Sequence, residues 1–127
     1  MARTRLLFAC LALAAPLVPA TAQAAPLPAS GLVLSVRPEM GTLSTTQLTC
    51  EPAGGLHKNA KAACDGLTPV DGDFTKMERA ADAACTMELN TTKATLKGKW
   101  RGKKVVFEQV FSNPCEMRVH TGKVFDF

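Results

Sequence analysis

Few side chains in this sequence could act as a catalytic base near neutral pH, since it contains two histidines, His57 and His120. No serine stands in the G-x-S-x-G context of a hydrolase nucleophile. A nuclease-like set of Glu108, Arg101 and His120 could be assembled, with the glutamate or a histidine as base. Residues of these types are also common on exposed strands and loops. The sequence therefore favours a protein that is not an enzyme.

The cysteines could form disulfides or bind a metal. Cys10 lies in a predicted signal peptide, which leaves four cysteines, and an even number in a small exported chain indicates two bridges. Three pairings are possible, and we favour the one that closes two separate loops, Cys50–Cys64 and Cys85–Cys115. A zinc site built from the same four residues is disfavoured because no C-x-x-C pair is present.

Acidic residues give a weaker indication of a metal. Asp71-Gly72-Asp73 is followed by Glu78, but the remaining ligand spacing of an EF-hand is missing. A polar turn before a helix explains the same residues. We expect neither a metal nor a cofactor.

Met87 lies two residues after Cys85, between a predicted helix and a predicted hairpin. This position predicts an exposed loop. The residues alone leave two interpretations open. Met87 could be displayed beside a disulfide, or it could turn inward and fill a gap in the core.

A group of basic residues surrounds Trp100 and could bind a polyanion. The alternative is the solvated face of a hairpin, whose lysines discourage edge-to-edge aggregation. After the predicted removal of a signal peptide that carries Arg3 and Arg5, 13 basic residues oppose 11 acidic ones. The resulting net charge of +2 is too small to indicate a nucleic acid or a membrane as partner. The basic residues are Lys93, Lys97, Lys99, Arg101, Lys103 and Lys104.

The first 24 residues have the pattern of a secretory signal peptide. Arg3 and Arg5 precede an apolar run that is too short to span a membrane, and a small-x-small cleavage pattern follows. We predict cleavage after Ala24, with Ala22 as the alternative, and a secreted, extracellular protein. Residues 25–30 are expected to form a flexible arm before a single domain at 31–127.

Alternating apolar residues predict the strands. They are expected at 31–37 and 45–50, and in a hairpin over 94–111 that turns at Arg101-Gly102. A short last strand is expected at 124–127.

Helical spacing predicts two short helices. The first runs from Leu56 and is ended by Gly66. The second begins at a capping-box pattern, Thr75-Lys76-Met77-Glu78, and runs to about Ala83. Because strands dominate, the predicted class is α+β, an antiparallel sheet with two short helices and two disulfides.

Five short segments, together with the cysteine spacing, carry a family resemblance over residues 31–127. They read GLVLSV at 31–36, LTC at 48–50, WRGK at 100–103, VFSNPCEM at 110–117 and GKVFDF at 122–127. In these features the chain resembles the Streptomyces subtilisin inhibitor family, whose members inhibit secreted serine proteases.

The resemblance implies an antiparallel sheet with two helices, a homodimer formed through the sheet, and the bridges Cys50–Cys64 and Cys85–Cys115. It also implies a reactive bond two residues after the third mature cysteine, which is Met87–Glu88 here. Its expected partners are extracellular serine proteases, subtilisin-like enzymes first and chymotrypsin-like enzymes also.

The same resemblance assigns roles to the residues around that bond. Met87 would enter the primary specificity pocket of the protease, and Asn113 would support the loop from behind. Many relatives have Pro in place of Thr86, and an apolar residue followed by Y-D-P after the reactive bond. The residues implied to contact the protease beside Met87 and Glu88 are Ala84, Cys85, Thr86, Leu89 and Asn90.

Overall fold

Five strands and two α-helices run through residues 15–127, the part of the chain that the computed structural model describes. Residues 15–29 have no regular structure, and the rest of the predicted signal peptide, residues 1–14, lies outside the described part. In chain order the elements are β1 (Ser30–Pro38), β2 (Ser44–Cys50), β3 (Gly54–Gly55), α1 (Ala60–Leu67), β4 (Thr92–Trp100), β5 (Lys103–Phe111) and α2 (Pro114–Thr121).

The strands form one antiparallel sheet in the order β3-β2-β1-β4-β5. The predicted class, an antiparallel sheet with two short helices, is confirmed. β1 begins one residue earlier than predicted, because Ser30 pairs with Cys50 of β2. The buried Ser30 hydroxyl also accepts a hydrogen bond from the backbone N–H of Arg101 at 2.9 Å. Neither helix of the described chain has the length and apolar character to cross a membrane.

The predicted hairpin is formed by β4 and β5 and turns at Arg101-Gly102. Both turn residues have positive φ, 46° and 81°, which suits the right-handed twist of the paired strands. Alternate side chains of the sheet point to the inner face, where the core lies. The largest buried side chains on that face are Leu34, Leu48, Leu96 and Trp100.

Helix α1 is shorter than predicted at its start. Leu56 is exposed, and the neighbouring His57 ring is buried in a contact that a helix would not allow. Its Nε2 lies 2.8 Å from the carbonyl oxygen of Val124, and its Nδ1 accepts the backbone N–H of Asn59 at 3.0 Å. The helix begins after this anchor and includes Gly66, which does not end it as predicted.

The second predicted helix, from Thr75 to about Ala83, is wrong. Asp73, not Thr75, accepts the first free amide, at 3.0 Å from the backbone nitrogen of Thr75, and one 3₁₀ turn, Phe74–Lys76, follows. The chain then leaves the helical region at Met77. A helix here would gain little, because its alanine side chains are small and largely exposed and offer no apolar face to bury. The second helix is α2.

The predicted last strand at 124–127 is also wrong. Among the described strands, none forms there. Val124 and Phe125 are buried in the core instead, and the Phe125 ring centroid lies 5.5 Å from that of Phe74. Apolar alternation predicted the burial correctly, but the backbone N–H groups of Val124 and Asp126 donate to carbonyls three residues earlier in the chain, as in turns.

Both disulfides have the favoured pairing. Cys50–Cys64 joins the end of β2 to α1, and Cys85–Cys115 joins the segment before β4 to the first turn of α2. The Cα atoms are 5.6 and 5.8 Å apart, within the usual range for such bridges. The four sulfurs are bonded in two pairs, so none of these cysteines is a free thiolate that could bind zinc.

Candidate reactive loop

Residues 77–91 connect the 3₁₀ turn to β4 without regular structure, and Met87 is their most exposed large hydrophobic side chain. Its exposed fraction is 101%, which means that it touches almost nothing of its own chain. Leu89 is also largely exposed, at 73%. Of the two interpretations that the sequence left open, the structure therefore supports display of Met87. The core contains a different methionine, Met117, and Met77 packs against it.

The loop is anchored two residues before Met87 by the Cys85–Cys115 disulfide. Cys115 lies in the first turn of α2, directly after the Asn113-Pro114 pair that starts the helix. The covalent bridge thus fixes the exposed segment to a rigid element.

Asn113 contacts the loop from its buried position behind Met87, with 4% of its surface exposed. Its Nδ2 donates to the carbonyl oxygens of Thr86 and Glu88, at 3.3 and 2.8 Å. Its Oδ1 accepts the backbone N–H of Glu116 at 2.8 Å and caps α2. One side-chain amide therefore holds the carbonyls on either side of Met87 and ties them to the helix start.

Further contacts hold the two ends of the loop. On the amino-terminal side, the backbone N–H of Ala80 donates to the carbonyl of Val119 at 3.1 Å, and the Arg79 guanidinium lies 3.3 Å from a carboxylate oxygen of Glu116. On the other side, the backbone N–H of Asn90 donates to the carbonyl of Ser112 at 2.9 Å. The loop is therefore held at both ends, while the side chain of Met87 between them is exposed.

The nuclease-like set is not brought together. Glu108 lies on the outer face of β5, with a carboxylate oxygen 2.7 Å from the Lys93 ammonium. Arg101 stands at the hairpin turn, and His120 lies in α2 with its ring 5.7 Å from that of Phe111. These positions belong to different faces of the molecule and define no common site.

The basic hairpin is partly neutralised by its own neighbours. Hydrogen bonds from Arg101 hold the pKa of the Glu51 carboxyl below its ordinary value, and Asp71 lies 3.3 Å from the same guanidinium. Lys93 is paired with Glu108. Lys99 and Lys104 lie directly opposite each other on the outer face of the sheet. Two of the six basic residues around Trp100, Arg101 and Lys93, are therefore paired with carboxylates.

Residues 28–113 match the model of a protein family described as subtilisin inhibitor-like. This stretch contains the sheet, the exposed loop and its supporting asparagine. The chain belongs to the subtilisin inhibitor-like family.

Curated members of the subtilisin inhibitor-like family are similar in sequence to this protein over most of its length. The protease inhibitor SIL-V5 of Streptomyces luteoverticillatus is 43% identical over 68% of this chain and 82% of its own length. The subtilisin inhibitor of Streptomyces albogriseolus is 41% identical over 77% of this chain and 72% of its own. Because the family consists of inhibitors, the protein is not an enzyme, as the sequence predicts.

A solved structure of this family is similar as well. It is Streptomyces caespitosus sermetstatin in complex with Bacillus licheniformis subtilisin, with a TM-score of 0.64 and 29% identity. The match covers 77% of this chain and 98% of the sermetstatin chain.

Two features that support the loop were not predicted from the sequence: the start of α2 at Asn113 and the contact between Asn90 and Met40. Asn113-Pro114 followed by Glu116 has the pattern of a helix start, with a capping residue, Pro at the first helical position and an acid at the third. That signal could have predicted α2. The partner of the Asn90 side chain, Met40, lies 50 residues away along the chain and depends on the sheet register.

Proposed function

We propose that the protein is a secreted inhibitor of subtilisin-like serine proteases that presents Met87–Glu88 as a substrate-like bond. The observation that carries this proposal is the contrast within one loop. Met87 is fully exposed, while the carbonyls beside it are held by the buried amide of Asn113. Family membership and the similar chain in a complex with subtilisin support the same conclusion.

The loop performs this function by being ordered before it binds. A protease cleft receives an extended backbone and pairs with it as a strand would. Met87 then fills the primary pocket, with Ala84, Cys85 and Thr86 in the preceding subsites and Glu88, Leu89 and Asn90 in the following ones. Since the disulfide and Asn113 already fix the loop, little conformational entropy is lost on binding, and affinity is gained.

The identity of Met87 sets the range of targets. Its unbranched apolar side chain suits the broad apolar pockets of subtilisin-like enzymes and also of chymotrypsin-like enzymes. A trypsin-like pocket has a carboxylate at its base, which Met would leave buried without a partner. Trypsin should therefore be inhibited poorly.

A homodimer formed through the outer face of the sheet belongs to the proposal. That face exposes three valines, Val33, Val106 and Val110, with exposed fractions of 49, 60 and 57%. Lys97 stands between Val33 and Val106 in the register. A second copy of the chain would remove these side chains from water.

Titration of the purified protein against subtilisin, chymotrypsin and trypsin tests the proposal. We expect residual subtilisin activity to fall linearly to zero at one inhibitor chain per enzyme, with chymotrypsin also inhibited and trypsin nearly unaffected. Unchanged subtilisin activity at a tenfold excess of the protein would contradict it. Protein recovered from culture medium should begin at Ala25 after signal cleavage, which amino-terminal sequencing determines.

A further inference from the structure

Asn90 stands where the exposed loop joins the sheet. Its backbone N–H donates to the carbonyl of Ser112 at 2.9 Å, on the β5 side. Its side chain turns to the other side, toward the loop between β1 and β2, where its Oδ1 accepts the backbone N–H of Met40 at 2.9 Å. Its Nδ2 lies 3.5 Å from the carbonyl oxygen of Met40. Asn90 therefore connects three segments of the chain.

The contact with Met40 continues the ladder between β1 and β4. The last paired residues are Pro38 and Thr92, and one more backbone bond follows, from Glu39 N–H to the carbonyl of Thr91 at 2.7 Å. The register then places Met40 opposite Asn90. At this rung the side-chain amide of Asn90 takes the place of a backbone peptide group and pairs with both polar groups of Met40.

We propose that Asn90 is a positioning residue that anchors the carboxyl-terminal side of the reactive bond. The proposal rests on the function proposed above, with Met87–Glu88 as the bond presented to the protease. Hydrolysis of that bond consumes one water, breaks the C–N bond, and leaves a carboxylate on Met87 and an amine on Glu88. Resynthesis releases the water again.

The anchor holds the segment that begins with this new amine. Cys85–Cys115 retains the Met87 carboxyl side, whereas Glu88 is held through its carbonyl by Asn113 and through Asn90 two residues further on. While both sides stay in place, the cut ends remain close together, and the effective concentration of one for the other stays high. Loss of the Asn90 anchor frees the amine side and shifts the equilibrium toward the cut form.

The test measures the ratio of cut to intact inhibitor at equilibrium with a catalytic amount of subtilisin, approached from intact and from cut protein. The fragments stay joined by Cys85–Cys115, so they are separated after reduction. Asn90→Ala should raise the ratio about fivefold, the effect of one hydrogen bond of about 1 kcal/mol. Asn90→Asp keeps an acceptor for the Met40 N–H and should raise it less. Thr42→Ala, an exposed position in the same β1–β2 loop, should match the wild type.

Each other outcome overturns one identifiable claim. If Asn90→Ala lowers the melting temperature but leaves the ratio unchanged, while Asn113→Ala raises it, Asn90 is merely structural and the proposed function stands. If Asn90→Ala does not fold, a wild-type ratio in Asn90→Asp together with one in a Gln variant, Asn90→Gln, refutes the anchor. If the wild type neither inhibits subtilisin nor is cut at Met87–Glu88, the proposed function fails and the anchor fails with it.

Discussion

The Nδ2 atom of Asn113 lies 2.8 Å from the carbonyl oxygen of Glu88, so the amide that caps α2 also holds the residue after the exposed methionine. The oxygen and the nitrogen of this amide make different contacts. The oxygen stabilises the helix start through Glu116, and the nitrogen orders the loop. Substitutions can therefore remove one task and keep the other.

Asn113→Asp should separate these tasks. An aspartate still accepts the Glu116 amide but cannot donate to the Thr86 and Glu88 carbonyls. The melting temperature should stay near the wild-type value, while cleavage at Met87–Glu88 by subtilisin becomes faster by about fivefold or more. Asn113→Ala should show the faster cleavage and also lose about 1 kcal/mol of helix-cap stability. If the aspartate variant is cleaved as slowly as the wild type, the nitrogen has no role in the loop.

Removal of the loop disulfide should turn the inhibitor into a substrate. Cys85→Ser with Cys115→Ser opens a bridge across a sequence separation of 30, with a cost of about 3 to 4 kcal/mol in the chain-entropy model. Subtilisin should cut the double variant at Met87–Glu88 and release it. The matched control is Cys50→Ser with Cys64→Ser, which removes the bridge remote from the loop. Equal inhibition by both double variants would show that Cys85–Cys115 does not order the loop.

Stability should depend on pH through Asp126. The hydrogen bond from the Lys123 ammonium, 2.8 Å from Oδ2, is the main cause that holds the pKa of the Asp126 carboxyl below its ordinary value of 3.8, and burial opposes it. Because the folded pKa is depressed, the carboxylate stabilises the fold above the pKa of the unfolded chain, and this contribution is lost as pH falls through the folded pKa. Asp126→Asn should lower stability at pH 7 by less than about 1 kcal/mol, since the pair is partly solvated.

The check is thermal unfolding of both proteins from pH 7 to pH 2. The difference in melting temperature between Asp126→Asn and the wild type should be constant as the pH falls to about the ordinary pKa of Asp, and should vanish well below it. A difference that persists unchanged at pH 2 would assign the effect to packing rather than to charge.

The dimer should depend on the outer face of the sheet. Val106→Arg replaces an exposed valine of that face by a second positive charge opposite Lys97, and should convert a dimer into a monomer in sedimentation equilibrium. Ala62→Arg, on the exposed side of α1, is the control and should leave the association state unchanged. A wild-type protein that sediments as a monomer would contradict the dimer itself.

The sheet could be predicted from the sequence because its signal is local. Alternating apolar residues predict β1, β2, β4 and β5, and the Arg101-Gly102 turn fixes the register between β4 and β5. The helix predicted at Thr75 does not form because a capping-box pattern describes only the start of a helix, while helix stability comes from an apolar face that the following alanines lack. The support of the loop was predictable only in part. Asn113 followed from family resemblance, whereas the Asn90–Met40 contact arises from a register that joins residues 50 positions apart.

The most direct test of the account is a pair of inhibition assays with wild type and Met87→Lys, against trypsin and subtilisin. The lysine side chain has nearly the length of methionine, so the loop backbone need not move. Its ammonium group can then pair with the carboxylate at the base of the trypsin pocket. Leu56→Lys, an exposed position beyond the opposite edge of the sheet, is the matched control. We predict that Met87→Lys becomes a strong trypsin inhibitor and binds subtilisin only modestly more weakly, because a long side chain can keep its ammonium near the pocket mouth. Trypsin inhibition no greater than that of wild type and Leu56→Lys would contradict the assignment of Met87 as the primary specificity residue.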